Sequence, residues 1–357
     1  MSPSARRPHL GILAGVAGFA ALGAVAAGGV ARNLARRTPK TGDRFGTEDF
    51  EAVYHDRASI VTADDGVPLA IREIGPADAP VTLLFSHGFS LSMASWHFQR
   101  IDLVEALGDR VRLVFLDHRG HGRSGPAPAH TATIAQLGAD IATVLRVVAP
   151  EAPVVLVGHS MGAMAIMSLA TREPMLFGDK VIGVGLIATA ARGITEAGLG
   201  KGLQNPLIDA FRLAVRQAPR TVQAGRGVTR SVLSPVLTAA SFGSKFHSPA
   251  MSAFVTAMIQ HTPIDTIVNF LRSLESHDET AALPVLSGIP TVVACGYEDM
   301  VTPLQNSVDL NAGLADSELV GVPDCGHLVL LEQPEVISTA VEQLVVRSVD
   351  AYSAGTR

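Results

Sequence analysis

The sequence predicts an α/β fold, in which helices flank a mostly parallel central sheet and an all-helical cap is inserted within the sheet-forming chain. Three observations predict it. Short continuous apolar runs alternate with helical patterns, a turn-linked pair of strands precedes them, and a strand-free stretch interrupts the alternation. A continuous apolar run is typical of a strand buried on both faces, as in a parallel sheet covered by helices.

The composition fits a packed chain and argues against several function classes. The 357 residues are 47% hydrophobic and 17% charged, which is unlike a disordered protein. The net charge is −5 and no Lys/Arg block stands out, so we expect no nucleic-acid partner. Two cysteines, Cys295 and Cys325, are too few for a disulfide framework or a zinc site. We expect these two thiols to be unbonded.

The first 40 residues differ from the rest of the chain. Arg6 and Arg7 precede an uncharged run of 22 residues, 10–31, and four basic residues follow it. A helix of that length rises about 33 Å, enough to cross a bilayer core of about 30 Å. The length of the run and its basic flank favour a single transmembrane helix and a membrane-anchored protein. The alternatives are a cleaved signal peptide with an Ala24-Val25-Ala26 site, hence secretion, and a buried Gly/Ala-rich segment.

Strand and helix patterns begin near residue 50. The runs at 59–63 and 68–74 are joined by Asp64-Asp65-Gly66, which predicts an antiparallel hairpin. The later apolar runs predict buried strands, and the segments between them have helical periodicity. The further predicted strands cover residues 81–85, 112–116, 154–157, 181–188, 291–294 and 318–322, and the predicted helices between them cover 96–107, 133–148 and 161–171.

No convincing strand occurs between about residues 190 and 283. Apolar residues recur at i, i+3, i+4 and i+7 from Met251 and again from Ile264, so each of these helices carries one apolar face. The four helices predicted in this stretch cover residues 203–215, 229–237, 250–259 and 264–274. The chain therefore divides into an N-terminal hydrophobic segment, a first core part, a helical cap and a second core part, at residues 1–40, 41–189, 190–282 and 283–357.

The predicted cap is more basic than the rest of the chain. Residues 190–249 carry eight Lys or Arg residues against Glu196 and Asp209, which is +6, whereas the rest of the chain sums to −11. Basic residues are attracted to anionic membrane surfaces. This asymmetry suggests membrane association through the cap together with residues 10–31. The alternative is that the basic residues are scattered and only keep the cap soluble.

Gly158-His159-Ser160-Met161-Gly162 follows a predicted strand and opens a predicted helix. This is the G-x-S-x-G pattern in the strand–turn–helix context that it requires. A serine on so sharp a turn has a strained backbone, and neighbours with a Cβ would clash, which explains the glycines. We therefore predict that Ser160 is a nucleophile. The Met161 N–H, at the start of the helix, is predicted to donate to an oxyanion.

A serine hydroxyl needs a base, and with this pattern the histidine comes last in the chain, after an acid. His327 lies between the predicted strand at 318–322 and a helix starting near Pro334, at the sheet edge where ligands bind. The acid should follow the preceding strand, where Glu298 and Asp299 lie. We predict that Asp299 orients the imidazole, with Glu298 as the alternative.

A second oxyanion donor is expected in the loop after the predicted strand at 81–85. This loop begins His87-Gly88-Phe89, and the glycine allows a close approach of the backbone. We assign the second donor to the N–H of Phe89.

The run from Asp117 to Ser124 is rich in glycine, histidine and arginine. Arg119 could bind a phosphate or a carboxylate there. We favour a glycine-rich turn, held by Asp117 and Arg119, that supports the loops of the site.

Five motifs occur in the order and at the spacing of one known family. They are His87-Gly88-Phe89, Asp117-His118-Arg119-Gly120-His121-Gly122-Arg123-Ser124, Gly158-His159-Ser160-Met161-Gly162, Gly296-Tyr297-Glu298-Asp299 and Gly326-His327. Over about residues 50–350 they resemble the α/β-hydrolase superfamily. The resemblance implies that fold and a Ser-His-Asp triad, but says little about substrate. A serine in the third motif departs from the haloalkane dehalogenases and epoxide hydrolases, which carry an aspartate there.

The combined interpretation is a lipase-like hydrolase of carboxylic esters with a moderately apolar small-molecule substrate, of which a lipid ester is one candidate. Ser160 would attack the carbonyl, His327 would take its proton, and the oxyanion would rest on the N–H groups of Phe89 and Met161. No metal or organic cofactor is implied. The alternatives are acyl transfer or C–C bond hydrolysis by the same triad, and a hydrolase-fold protein that binds a small molecule without efficient turnover.

Overall fold

The computed structural model describes residues 42–196 and 241–355, together with residues 234, 237 and 238. These residues form an eight-stranded sheet. Its strands are β1 (Arg57–Thr62), β2 (Pro68–Ile74), β3 (Val81–Ser86), β4 (Val111–Leu116), β5 (Val154–His159), β6 (Val181–Ile187), β7 (Thr291–Gly296) and β8 (Ser317–Val322). The strand order is β1-β2-β4-β3-β5-β6-β7-β8. β2 pairs antiparallel with β1 and β4, and all other pairs are parallel.

Helices cover both faces of this sheet. The α-helices are α1 (His97–Leu107), α2 (Ile134–Val148), α3 (Met161–Arg172), α4 (Pro249–His261), α5 (Ile264–Glu275), α6 (Leu283–Leu286), α7 (Leu304–Ala312), α8 (Val329–Glu332) and α9 (Pro334–Gly355). Short 3-10 helices occur at Ala52–His55, Met93–Trp96, Gly108–Arg110, Pro174–Leu176, Ile194–Glu196 and Thr280–Ala282. The hairpin, the six later strands and the helices between them lie where the sequence predicts them.

The two faces of the sheet bury separate apolar clusters. Leu84 and Leu156 belong to the cluster that includes residues of α2 and α3, whereas Phe85 and Val157 belong to the one that includes residues of α1 and α9. Successive strand residues point to opposite faces, so two neighbours on one strand contribute to different clusters. Both faces are covered, as the continuous apolar runs predict, and the α/β fold is confirmed.

Two helices begin at side chains that are suited to cap them. The Thr133 side chain accepts a hydrogen bond from the Gln136 N–H at 3.1 Å at the start of α2. At the start of α4 the Ser248 side chain accepts one from the Met251 N–H at 3.0 Å. Such caps satisfy N–H groups that have no partner within the first turn of a helix.

Of the helices predicted in the cap, the last two correspond to α4 and α5. The helix at 203–215, most of the one at 229–237 and most of the basic residues of 190–249 lie outside the described residues. The predicted face of α4 is buried, and so are two of the four residues of the face predicted for α5, Ile264 and Val268. Thr266, Phe270 and Leu274 are buried there, whereas Ile267 and Leu271 are half-buried. The division of the chain at residues 190 and 283 stays a prediction.

The expectation of a membrane-anchored protein with a transmembrane helix is wrong for the part of the chain that the structure describes. Residues 10–31, on which it rested, lie outside that part. Between residues 42 and 355, no described helix combines the length and the apolar character needed to cross a membrane. The physical reason is visible in α9, which buries Ile337, Val341 and Leu344 but carries charged residues on its other side.

Candidate active site

Ser160 occupies a sharp turn between β5 and α3. Its φ of 50° and ψ of −117° are unusual for a residue with a side chain. The Ser160 N–H donates to the Ile187 carbonyl at 2.8 Å, and the Thr189 hydroxyl donates to the Ser160 carbonyl at 3.1 Å. These bonds to the loop after β6 hold the strained turn in place. The Ser160 side chain is 7% exposed.

The glycines on either side of this turn are required by close packing. A Cβ on Gly162 would lie 2.1 Å from the Ser86 carbonyl oxygen and 2.7 Å from that of His87. A Cβ on Gly158 would lie 2.5 Å from the Ala163 nitrogen. The start of α3 can therefore approach the loop after β3 only without side chains at these positions.

Asp299 and His327 are brought together by the loops that follow β7 and β8. The His327 Nδ1 lies 2.8 Å from the Asp299 Oδ2. The other carboxylate oxygen accepts the Val301 N–H at 2.8 Å and the Thr302 N–H at 2.9 Å, and the Thr302 hydroxyl donates to Oδ2 at 3.0 Å. Asp299 is only 4% exposed. The carboxylate can accept the Nδ1 proton, which leaves Nε2 of the histidine free to act as a base.

The surroundings of Asp299 keep its carboxylate ionised. Burial by itself raises the pKa of Asp299, but the neighbouring His327 and the two backbone N–H donors outweigh burial. The pKa of Asp299 is therefore held below its usual value. Glu298 points away from this pair and accepts hydrogen bonds from the Ser244 N–H at 2.5 Å and the Ser244 hydroxyl at 3.0 Å.

His159 connects the turn of Ser160 to His327. The ring centroids of the two histidines are 4.9 Å apart, and the His159 Nε2 lies 3.0 Å from the His327 carbonyl oxygen. Burial lowers the pKa of His159 to about 3, so the ring is neutral and Nε2–H donates to that carbonyl. Among the described residues the Ser160 hydroxyl makes no hydrogen bond to His327. Catalytic hydrogen bonds are often long before a substrate binds.

The two predicted oxyanion donors belong to segments that adjoin Ser160. Met161 is the first residue of α3, and Phe89 follows Gly88 in the loop after β3. A Cβ on Gly88 would lie 3.4 Å from the Ser160 Cβ and 2.5 Å from the His159 Nδ1, so this loop packs directly against the turn. Within the described part of the chain, neither N–H donates to a protein acceptor. Both are therefore available to a bound oxyanion.

The run at 117–124 supports the site without reaching it. The Asp117 carboxylate is fully buried and accepts the Met93 N–H at 2.7 Å and the Arg123 N–H at 2.8 Å. The Arg119 guanidinium is bound at 2.6 Å by each of Asp140 and Asp65. Two carboxylates occupy its donors, so Arg119 is not free to bind a phosphate or a substrate carboxylate.

Several residues at the site were missed in the sequence. Positive φ angles occur at Ser90, Ala188 and Asp324 as well as at Ser160, each in a loop after a parallel strand. Such strained residues cluster at functional sites, but only the serine pattern signals one in sequence. Thr302 was also missed, although its spacing of three from Asp299 suits a turn in which a carboxylate accepts nearby N–H groups.

Cys295 and Cys325 are both buried and free. The Cys295 sulfur lies 3.8 Å from the Asp299 Oδ2, and burial raises the pKa of this thiol to about 12. The thiol is therefore protonated and packs as a small apolar side chain. Within the described residues, no group of three or more His, Cys, Asp or Glu side chains could hold a metal ion.

The sequence pattern of the family described as "Alpha/beta hydrolase family" matches residues 83–340. The chain belongs to the α/β-hydrolase family. This α/β hydrolase is 26% identical over 293 residues to the AB hydrolase superfamily protein YisY of Bacillus subtilis, covering 79% of this chain and 97% of that one. It is 24% identical over 272 residues to a putative carbamate hydrolase, RutD, of Agrobacterium fabrum, covering 76% and 94%.

Solved structures similar to this α/β hydrolase include an esterase of Thermogutta terrifontis. The TM-score is 0.63 with 24% identity, over 82% of this chain and 99% of that one. An enol-lactonase of Burkholderia xenovorans has a TM-score of 0.65 with 21% identity, over 81% and 100%. At these identities the likeness shows the fold, and the resemblance predicted from the motifs is confirmed. Membership of the family supports hydrolase activity on a small-molecule substrate.

Proposed function

We propose that this α/β hydrolase is a serine esterase that cleaves carboxylic esters of moderately apolar small molecules, through an acyl-enzyme on Ser160. One observation carries the proposal. A serine on a strained turn lies beside His159, which contacts a histidine whose Nδ1 is 2.8 Å from a buried, ionised carboxylate. A nucleophile, a base and an orienting acid are the groups that acyl transfer needs.

The proposed reaction has two halves. The Ser160 oxygen attacks the ester carbonyl while His327 Nε2 accepts the hydroxyl proton, and the oxyanion is stabilised by the N–H groups of Phe89 and Met161. The imidazolium, stabilised by Asp299, then protonates the leaving alcohol. In the second half His327 takes a proton from water, the resulting hydroxide attacks the acyl-enzyme, and the carboxylic acid leaves with Ser160 restored.

The side chains near the predicted oxyanion loop favour an uncharged substrate. The ring of Phe89 lies 6.2 Å from that of His121, and His121 lies 5.6 Å from Phe270. Burial lowers the pKa of His121 to about 4, so this ring is neutral near pH 7. The packing behind the predicted oxyanion loop is therefore aromatic and uncharged, which suits an apolar acyl or alkoxy group better than a charged one.

The test is labelling with a fluorophosphonate probe, followed by turnover of p-nitrophenyl esters of increasing acyl length. Ser160→Ala should abolish labelling and lower turnover by roughly 10⁴-fold or more, because only oxyanion stabilisation and binding remain. Full labelling of the variant would contradict the assignment of the nucleophile. Labelling of the wild-type protein without turnover of any ester would instead favour acyl transfer or a binding protein.

A further inference from the structure

Residues 241–245, here called the return segment, pack against the loop that carries His327. A Cβ on Gly243 would lie 2.7 Å from the Asp324 carbonyl oxygen, and one on Gly326 would lie 2.6 Å from the Gly243 nitrogen. The two backbones therefore touch without intervening side chains. The Leu328 N–H also donates to the Ser241 carbonyl at 3.1 Å, so the contact extends past His327 on its C-terminal side.

Glu332 is the group that joins these two backbones. One oxygen of its carboxylate accepts the Gly243 N–H at 2.8 Å, and the other accepts the Gly326 N–H at 2.9 Å. The side chain is 3% exposed and lies in the last turn of the short helix α8, after an apolar run. Gly326 directly precedes His327, so one of the two bonds fixes the backbone at the position before the proposed base.

The return segment is also attached to the loop of Asp299. The Glu298 carboxylate accepts both the N–H and the hydroxyl of Ser244. On the solvent side, Lys245 pairs with Asp324 at 2.8 Å. The segment therefore contacts both loops from which the proposed acid and base project, and Glu332 bonds it to a buried carboxylate.

A carboxylate suits this position better than a neutral side chain of the same shape. It offers an acceptor oxygen to each N–H, whereas an amide has one acceptor oxygen and a donor group that would face the second N–H. Burial raises the pKa of Glu332 to about 7 in spite of the two N–H bonds, so keeping the carboxylate here carries a cost in desolvation. A buried carboxylate near a candidate active site is therefore a candidate for a functional role.

We propose that Glu332 is a positioning residue for the hydrolysis proposed above, because it ties the return segment to the backbone of the His327 loop and so sets the position of the imidazole relative to Ser160. This inference rests on the proposed function. It assigns to Glu332 no contact with the substrate and no proton transfer.

The first test compares Glu332→Gln with the wild-type protein on the p-nitrophenyl ester that is turned over best. A small displacement of a catalytic group can cost up to about 100-fold in rate, so we expect kcat to fall roughly 10- to 100-fold. KM should stay within about twofold, because substrate contacts are untouched. Glu73→Gln is the matched control, since Glu73 is 6% exposed and pairs with Arg57 and Arg112 away from these loops. It should lower the melting temperature and leave kcat unchanged.

The second test needs no variant and uses hydrogen exchange on the wild-type protein. The return segment is bonded to the loops that carry Asp299 and His327, so a group attached to Ser160 that displaces these loops should change amide exchange in peptides covering residues 241–245. Peptides covering the β1–β2 hairpin serve as the control and should not change. Unchanged exchange at 241–245 in the labelled protein would overturn the inference, even if Glu332→Gln fails to fold.

The outcomes separate this inference from the proposed function. A wild-type protein that neither reacts with the probe nor hydrolyses any ester would overturn both. A second outcome would overturn the inference alone. In it the wild-type protein is labelled and active, and the Glu332→Gln variant loses thermal stability but keeps kcat. Glu332 would then be a purely structural residue.

Discussion

At the scale of single residues, two buried carboxylates around the site have pKa values that are shifted in opposite directions. Asp299 and Asp117 are both buried and both accept two backbone N–H groups. The pKa of Asp299 is nevertheless lowered, because His327 adds its charge and a hydrogen bond, whereas burial raises the pKa of Asp117 to about 6. The partner within hydrogen-bonding distance, more than the depth of burial, determines the direction in which each pKa is shifted.

Replacing Asp299 with Asn tests its role as the orienting acid. Asn can hold the imidazole in the wrong tautomer, and we expect kcat to fall by about 10³- to 10⁴-fold. In the wild-type protein, kcat/KM should fall on the acid side with one ionisation, because the base must be neutral to accept the serine proton. In the variant this limb should move to lower pH, because the carboxylate that stabilises an imidazolium is gone.

The measurement is the pH dependence of kcat/KM for both proteins between pH 4 and 9, on one uncharged ester. Glu298→Gln is the neighbouring control, because Glu298 bonds to Ser244 and makes no hydrogen bond to His327 within the described residues. A wild-type rate that stays flat down to about pH 5 would argue against a histidine base. An Asp299→Asn variant with wild-type kcat would remove the acid from the mechanism.

Asp117 makes a different prediction, because its pKa is raised. A carboxyl group whose folded pKa lies above its unfolded value stabilises the fold at low pH, and this contribution is lost as pH rises through the folded pKa. For Asp117 the window runs from about 3.8 to about 6. Asp117→Asn cannot ionise, so it should lose less stability than the wild-type protein as pH rises across that window.

The difference in melting temperature between wild type and Asp117→Asn is the quantity to measure, at pH 4 and at pH 7. We expect the wild-type advantage to be larger at pH 4. A larger advantage at pH 7 would mean that the ionised carboxylate is the stabilising form and would reverse the sign argued here. Ionisable groups that both proteins contain contribute equally to the two melting temperatures, so their titration cancels in the difference.

At the scale of elements, α5 shows how a tertiary neighbour selects the buried face of a helix. A Cβ on Gly120 would lie 2.8 Å from the Thr266 side chain, and Phe270 packs on the ring of His121. The loop at 117–124 therefore lies under the stripe that contains Thr266, Phe270 and Leu274. The adjacent stripe with Ile267 and Leu271 is turned away from it and only half-buried.

Paired alanine substitutions on α5 test this orientation. Phe270 is fully buried, so Phe270→Ala should lower the free energy of unfolding by about 3–5 kcal/mol through lost burial and a cavity. Leu271→Ala, one residue further along the same helix, should cost less, on the order of 1–2 kcal/mol, because its side chain is already partly exposed to solvent. Urea unfolding of both variants measures the two values. Equal losses, or a larger loss for Leu271, would mean that the stripe with Ile267 and Leu271 is buried as deeply as the stripe with Phe270.

The sequence predicts strands more completely than it predicts side-chain environments. The strands of the parallel sheet are continuous apolar runs, so their positions follow from composition alone. The buried stripe of α5 depends on a loop more than 140 residues earlier in the chain, and helical periodicity carries no information about that neighbour. Glu332 is similar, because a single acidic residue after an apolar run is usually assigned to the surface.

At the scale of the whole molecule, the parallel sheet brings distant parts of the chain to one edge. The loops after β3, β5, β6, β7 and β8 carry the predicted oxyanion donor, the serine, the Thr189 contact, the acid and the base in that order. Motif order and spacing predict this arrangement, since carboxyl ends of parallel strands share an edge. The bonds between the loops, such as that from His159 to the His327 carbonyl, depend on side-chain packing and were not predicted.

The order of the strands in the chain also determines when the proposed site can first work. During synthesis, β5 and Ser160 are made first. The later elements β6, α4, α5, β7 and β8 follow, and His327 is made after all of them. A growing chain folds its earlier parts first. The serine is therefore made well ahead of the proposed acid and base, and the nascent protein carries the proposed nucleophile without them until the second half of the sheet has been synthesised and has docked. Such an order would delay the proposed ester hydrolysis until folding is nearly complete.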